Sequence, residues 1–99
     1  MSTVLSYESK RHTLILRGVL DRKTLLPLWQ QRAILLVDKI KIDVSQLQYV
    51  DSAGLALLVH LCAYQHQCGI ELKIFGITDR LRTLVALYNL QSIIPIDVS

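Results

Sequence analysis

The sequence predicts an α/β fold, a mixed sheet of four to five strands packed against about three to four α-helices. Three observations predict it. Apolar and charged residues alternate at Ile40-Lys41-Ile42-Asp43-Val44 and again at Ile70 to Ile74, which is the period of a strand. Other segments carry apolar residues three and four apart, the spacing of a helix buried on one side. The two patterns interleave along the chain, and strand–helix–strand units favour parallel neighbours joined by right-handed crossovers. Ninety-nine residues suffice for one core and not two, so residues 1–99 form a single domain.

Each element has its own local signal. Val4 to Tyr7 and Thr13 to Arg17 read as two strands around a polar turn, Glu8 to His12. Gly18 and Asp21 punctuate the exit, and Thr24 is a candidate cap for a helix starting at Leu25. That helix carries Leu25, Leu28, Trp29, Ala33 and Leu36 on one side and runs to Val37 or Asp38; Pro27 is tolerated in its first turn. The Ile40 to Val44 strand leads through a turn, Ser45 to Tyr49, into Val50-Asp51-Ser52-Ala53-Gly54. A long helix follows from about Ser52 to Gln67, stopped by Gly69. After the Ile70 to Ile74 strand, Thr78 and Asp79 open a last helix whose stripe is Leu81, Leu84, Val85 and Tyr88. Ile93 to Val98 can add an edge strand, where Pro95 is permitted.

Composition narrows the function. Hydrophobic residues make up 52% and charged ones 19%, which excludes disorder and leaves apolar surface to be covered at an interface. The net charge of +3 is scattered, with no basic run longer than two, so no nucleic-acid footprint is present. Ala53 to Tyr64 is broken by His60 and too short to cross a membrane. Met1 to Lys10 is polar and lacks the apolar stretch of a secretory signal, so a cytoplasmic protein is expected. Cys62 and Cys68, six apart on one helix, are too far apart to bridge and read as free thiols.

Candidate chemistry is sparse. Cys62 and His66 share a helical face, but two ligands do not make a zinc site, so no metal and no cofactor are expected. Neither a nucleophile elbow nor a phosphate-binding glycine loop occurs, so no catalytic residues are assigned. What stands out is Asp51-Ser52-Ala53-Gly54, where a strand hands over to a helix. Ser52 there reads either as a plain helix cap or as an exposed hydroxyl at the positive end of the helix dipole. A phosphate on it would bring about −1.5 to −2 charges, favoured by the dipole and opposed by Asp51. Gly54 would let another chain approach closely, and Leu55, Ala56 and Leu57 leave an apolar side for a partner; Leu87 falls off its own helical stripe and is expected to be exposed.

The run Ile42-Asp43-Val44, a turn, then Val50-Asp51-Ser52-Ala53-Gly54-Leu55 resembles the STAS domain family, named for sulfate transporters and anti-sigma factor antagonists, over nearly the whole chain. In that family the Asp-[Ser/Thr]-x-Gly segment starts the second helix, and its hydroxyl is the regulatory phosphorylation site of the antagonists. Gly18-Val19-Leu20-Asp21, Leu25-Leu26-Pro27-Leu28-Trp29, Gly54-Leu55-Ala56-Leu57-Leu58 and Leu87-Tyr88-Asn89-Leu90 resemble one branch, the small STAS subunits of bacterial phospholipid transporters. This resemblance implies a cytoplasmic, non-catalytic subunit at the inner membrane. It would bind the ATPase of an ABC transporter that maintains outer-membrane lipid asymmetry and, through it, the permease and a substrate-binding subunit. It also implies that Asp51, Ser52, Ala53, Gly54, Leu55 and Ala56 flank the ATPase contact, with Ser52 at the regulatory position. The alternative is an anti-sigma factor antagonist regulated by phosphorylation of Ser52. Antagonists commonly carry a second Ser where this chain has Ala53, and Gly where it has Asn89.

Overall fold

In a computed structural model, which describes residues 4–97, the chain folds into a five-stranded mixed sheet with four helices. The strands are β1 (Leu5–Lys10), β2 (Thr13–Leu20), β3 (Lys41–Val50), β4 (Lys73–Phe75) and β5 (Ile96–Asp97). The helices are α1 (Leu25–Gln30), α2 (Arg32–Leu35), α3 (Ser52–Gln67) and α4 (Asp79–Leu87). Sheet order follows chain order, with β1 antiparallel to β2 and every later pair parallel. Three crossovers of the same hand stepping in one direction put their helices on one face of the sheet. The register agrees: Leu14, Ile42 and Ile74 lie in one row across β2, β3 and β4 and are fully buried. The adjacent row, Thr13, Lys41 and Lys73, belongs to the other, open face, where Glu8 pairs with Arg17 at 2.9 Å and with Lys10 at 3.7 Å. These cations hold the Glu8 carboxyl below its ordinary pKa, the Arg17 hydrogen bond contributing most.

Several boundaries differ from the sequence reading. β1 extends to Lys10, and the expected Glu8 to His12 turn shrinks to Arg11 and His12, with Arg11 at φ +43°. Ser45 to Tyr49 is not a turn but the second half of β3. Two bulges against β2 explain why its alternation fails. Between Ile15 and Arg17 two steps on β2 span three on β3, and between Gly18 and Val19 one step spans two. Each extra residue changes the phase of the strand, so the buried side chains are Val44, Leu47 and Val50, three apart. Ile40 and Ile70 precede their strands rather than joining them, while Leu72 is buried just ahead of β4.

The expected helix from Leu25 to Val37 is two short ones, parting at Gln31 (φ −97°, ψ 9°). The Arg32 guanidinium stacks 3.9 Å over the Trp29 ring and donates through Nη1 to the Trp29 carbonyl at 2.9 Å, which also accepts a backbone N–H at the helix end. Of the predicted stripe, Leu28 and Leu36 are buried and Ala33 is exposed. Thr24 precedes α1 but its side chain does not cap it; Oγ1 donates to the Val19 carbonyl (2.9 Å) and accepts from Asp21 N–H (3.0 Å). In α4, Thr78 caps as expected, accepting from Leu81 N–H at 3.2 Å. Leu87 is 70% exposed, also as expected, but Tyr88 is 53% exposed rather than core, because the helix has ended by then and Asn89 turns left-handed at φ +55°. The expected tail strand is present as β5, and Val98 lies outside the described residues.

α3 is the central support. It ends in a Schellman motif, with Gly69 N–H donating to the His66 carbonyl (3.0 Å), Ile70 N–H to the Gln65 carbonyl (2.9 Å), and Gly69 at φ +82°. The buried Gln65 amide donates to the carbonyls of Leu36 (2.9 Å) and Lys39 (2.8 Å), tying the helix to the chain between α2 and β3. Leu55, Leu58 and Leu61 meet the sheet row in one core.

Candidate partner-docking surface at the start of helix α3

β3 delivers the chain directly into α3 through Asp51, whose backbone is extended (φ −98°, ψ −177°). Asp51, not Ser52, is the N-cap: its Oδ1 accepts from Gly54 N–H at 2.8 Å, and its Oδ2 accepts from Arg22 N–H at 3.2 Å. The cap role open to Ser52 is therefore filled by its neighbour, and Ser52 stands exposed as the first residue of the helix. Its hydroxyl lies in the positive field of the helix start, beside a carboxylate already engaged by two N–H groups.

The six predicted contact residues divide by orientation. Ser52 and Ala56 face outward, and Asp51 and Ala53 are half-buried. Gly54 and Leu55, expected to flank the partner contact, turn inward. Leu55 is 2% exposed within the core. A Cβ on Gly54 would stand 2.3 Å from the Leu20 carbonyl oxygen, so the close approach that needs this glycine is to β2 of the same chain. Leu57, also expected on the partner side, is 4% exposed and reaches the surface only at a groove floor.

Two shallow apolar grooves flank the exposed turn of α3. One, of about 430 Å³, lies between α1 and α3 and is lined by Leu25, Trp29, Ala53, Ala56, Leu57 and His60. His60 meets the Trp29 ring edge-on at 5.9 Å, fixing one wall. The other, of about 270 Å³, lies toward the end of α4 and is lined by Ser52, Leu55, Ala56, Tyr88 and Leu90. Ala56 lines both, so a single methyl group forms the ridge between them. Trp29, His60, Tyr88 and Leu90 were not expected at this site. Trp29, Tyr88 and Leu90 lie in the two family-like motifs Leu-Pro-Leu-Trp and Leu-Tyr-Asn-Leu, the one sequence signal that could have placed them here.

The Cys62 and His66 pair lies elsewhere, lining a larger groove of about 610 Å³ with Glu71 and the segment 91–95. Among the described residues no three His, Cys, Asp or Glu side chains gather as a metal would need. Cys62 and Cys68 are free. Burial pushes the Cys62 thiol up to about 11, because the charged thiolate is poorly solvated there. The exposed Cys68 should therefore be alkylated by iodoacetamide at pH 8 while Cys62 is not; mass spectrometry should count one label on the native protein and two after unfolding in urea. Two rapid labels on the native chain would contradict the buried position.

The comparisons with known proteins agree with this architecture. The chain is 41% identical over 98 residues to the "Intermembrane phospholipid transport system binding protein MlaB" of Escherichia coli, covering 99% of this chain and 97% of that one. It is 37% identical over 57 residues to an anti-sigma-B factor antagonist of Listeria monocytogenes, covering 58% of this chain and 50% of that protein. The crystal structure of an anti-sigma factor antagonist from Mycobacterium paratuberculosis superposes with a TM-score of 0.69 at 20% identity, covering 96% of this chain and 85% of that one, a likeness of fold. No helix among the described residues is long and apolar enough to cross a membrane. Residues 4–95 match the family described as "Mlab, STAS domain", and the chain belongs to that family.

Proposed function

We propose that this chain is a non-catalytic binding subunit of an intermembrane phospholipid transport system. It docks on the ATPase of an ABC transporter through the outward residues of the first turns of α3. The observation that carries this reading is the pair of apolar grooves meeting at Ala56, beside an exposed Ser52. A surface with an apolar centre and no assembled catalytic constellation fits a docking subunit better than an enzyme. The near full-length relation to a protein named for phospholipid transport supplies the system. The subunit then sits in the cytoplasm, peripheral to the inner membrane, and reaches the permease and the substrate-binding subunit through the ATPase.

A second reading is favoured by one feature, the exposed hydroxyl of Ser52 at a helix start. In that reading the chain is an anti-sigma factor antagonist switched by phosphorylation of Ser52. Co-purification separates the two. A tagged chain co-expressed with the transporter ATPase should retain it through gel filtration, and so should Ser52→Ala. Ser52→Glu should lose most of it, because a carboxylate placed in a desolvated contact without a partner costs about 2 kcal/mol or more. Failure of the wild-type chain to retain the ATPase, together with retention of an anti-sigma kinase, would decide for the second reading.

A further inference from the structure

One wall of the α1–α3 groove is backed by a guanidinium that no carboxylate among the described residues pairs with. Arg32, the first residue of α2, folds back over Trp29, its Cζ 3.9 Å from the centre of that ring. The Tyr64 ring of α3 lies 5.3 Å from the same Cζ, so the cation links α2 to both neighbouring helices. Nη1 donates to the Trp29 carbonyl at 2.9 Å, while Nε is buried without a hydrogen-bond partner among the described residues. The ion pairs found among those residues join Glu8 to Lys10 and Arg17 instead. Stacking on two rings offsets the cost of an unpaired buried donor, so the net effect of this cation on stability is small. Its effect on the indole is direct. Arg32 covers one face of the ring, and His60 meets it with 66° between the ring planes. Beside that ring lies the groove of about 430 Å³, open because α3 offers only methyl groups at Ala53 and Ala56.

We propose that Arg32 is a positioning residue of the docking surface: it pins the Trp29 ring as a wall of the groove and so keeps the groove open for an apolar side chain of the partner ATPase. The inference rests on the ATPase-docking reading and adds how the surface is held ready before the partner arrives. An indole released by Arg32 gains by turning into the groove, because lying over Ala53 and Ala56 removes aromatic area from water. That closed form competes with the partner. Apparent affinity scales with the fraction of molecules left open, so closure in about nine of ten molecules weakens binding about ten-fold. Lysine does not replace Arg32 here, since an ammonium lacks the planar fork that stacks on the ring and reaches the Trp29 carbonyl at the same time.

The test compares the full chain with Arg32→Met, Arg32→Lys, Trp29→Leu and Trp29→Leu/Arg32→Met. Trp29 is the one tryptophan of the chain, so the single indole N–H resonance reports its position. In Arg32→Met that resonance should shift, and the ring should gain nuclear Overhauser contacts with the Ala53 and Ala56 methyl groups. The melting temperature should stay within about 8 °C of wild type. Affinity for the purified ATPase subunit should fall about ten-fold. Arg32→Lys carries the same expectations and gives the answer if Arg32→Met fails to fold. Once the ring is gone, in Trp29→Leu, adding Arg32→Met should change the affinity less than about two-fold. An indole resonance and methyl contacts unchanged by loss of the guanidinium overturn the inference, whatever the ATPase does. A ten-fold loss that persists in the Trp29→Leu background also overturns it, because Arg32 would then touch the partner itself. Absence of any binding by the wild-type chain overturns the ATPase reading, and the indole spectra then decide by themselves whether Arg32 holds the groove open.

Discussion

Ala56→Asp should leave the protein folded and abolish its binding, whereas Leu55→Asp, one residue earlier, should unfold it. Ala56 is exposed on the ridge between the two grooves, so a carboxylate there stays hydrated in the free subunit. A docked partner would strip that water and leave an unpaired charge, a penalty of at least about 2 kcal/mol or roughly thirty-fold in affinity. Leu55 is part of the core that joins α3 to the sheet. An ionised carboxylate in that position costs about 4 kcal/mol or more, against about 5–15 kcal/mol of total stability for a small domain. Circular dichroism with a pull-down distinguishes the cases: Ala56→Asp keeps its melting transition and loses the partner, and Leu55→Asp loses the transition. A pull-down unaffected by Ala56→Asp would remove the first turns of α3 from the interface.

Gly54→Ala should lower the melting temperature by about 8–16 °C. The added methyl would meet the Leu20 carbonyl oxygen at 2.3 Å and the Leu20 Cγ at 3.0 Å, so backbone must move. The same carbonyl accepts from Asp51 N–H at 3.3 Å, and displacing it also disturbs the cap that begins α3. Overpacking of this kind costs about 3 kcal/mol, only partly offset by the roughly 1 kcal/mol that Ala gains over Gly in a helix. For a domain of this size each kcal/mol is about 4–8 °C. Gly69→Ala is the control. Unlike the helical Gly54 it has to adopt a positive φ, but nothing lies within 4 Å of its added Cβ, so only backbone strain of about 1 kcal/mol is expected. Equal melting temperatures for the two variants would show that the contact with β2 relaxes freely.

These two contrasts mark where reading along the chain succeeds and where it stops. α3 was legible almost to the residue, because Gly69 ends it and an Asp-Ser pair begins it. The Asp51 to Gly54 segment was legible as a strand-to-helix junction and as the motif that resembles the family, and the docking proposal starts from it. Which of its members face a partner was not legible. Leu55, Ala56 and Leu57 are all apolar, and periodicity alone does not say which side of a helix meets the sheet when apolar residues surround it. The bulges of β3 were hidden for a related reason. They are a property of its pairing with β2, and within β3 alone Ser45 to Tyr49 looks like a polar turn.

Short-range spacing alone sets the order of elements, the α/β class and the junction that carries Ser52, while the family is legible through the resemblance of its motifs. Only the tertiary structure decided that Asp51 rather than Ser52 caps α3 and that Gly54 is reserved for Leu20. It alone brought Trp29, His60 and Tyr88 to the two sides of Ala56. The Gly54–Leu20 approach and the Arg22–Asp51 hydrogen bond join segments some thirty residues apart. Those distances exist only once the β2–β3 register and the packing of α1 on α3 have been set.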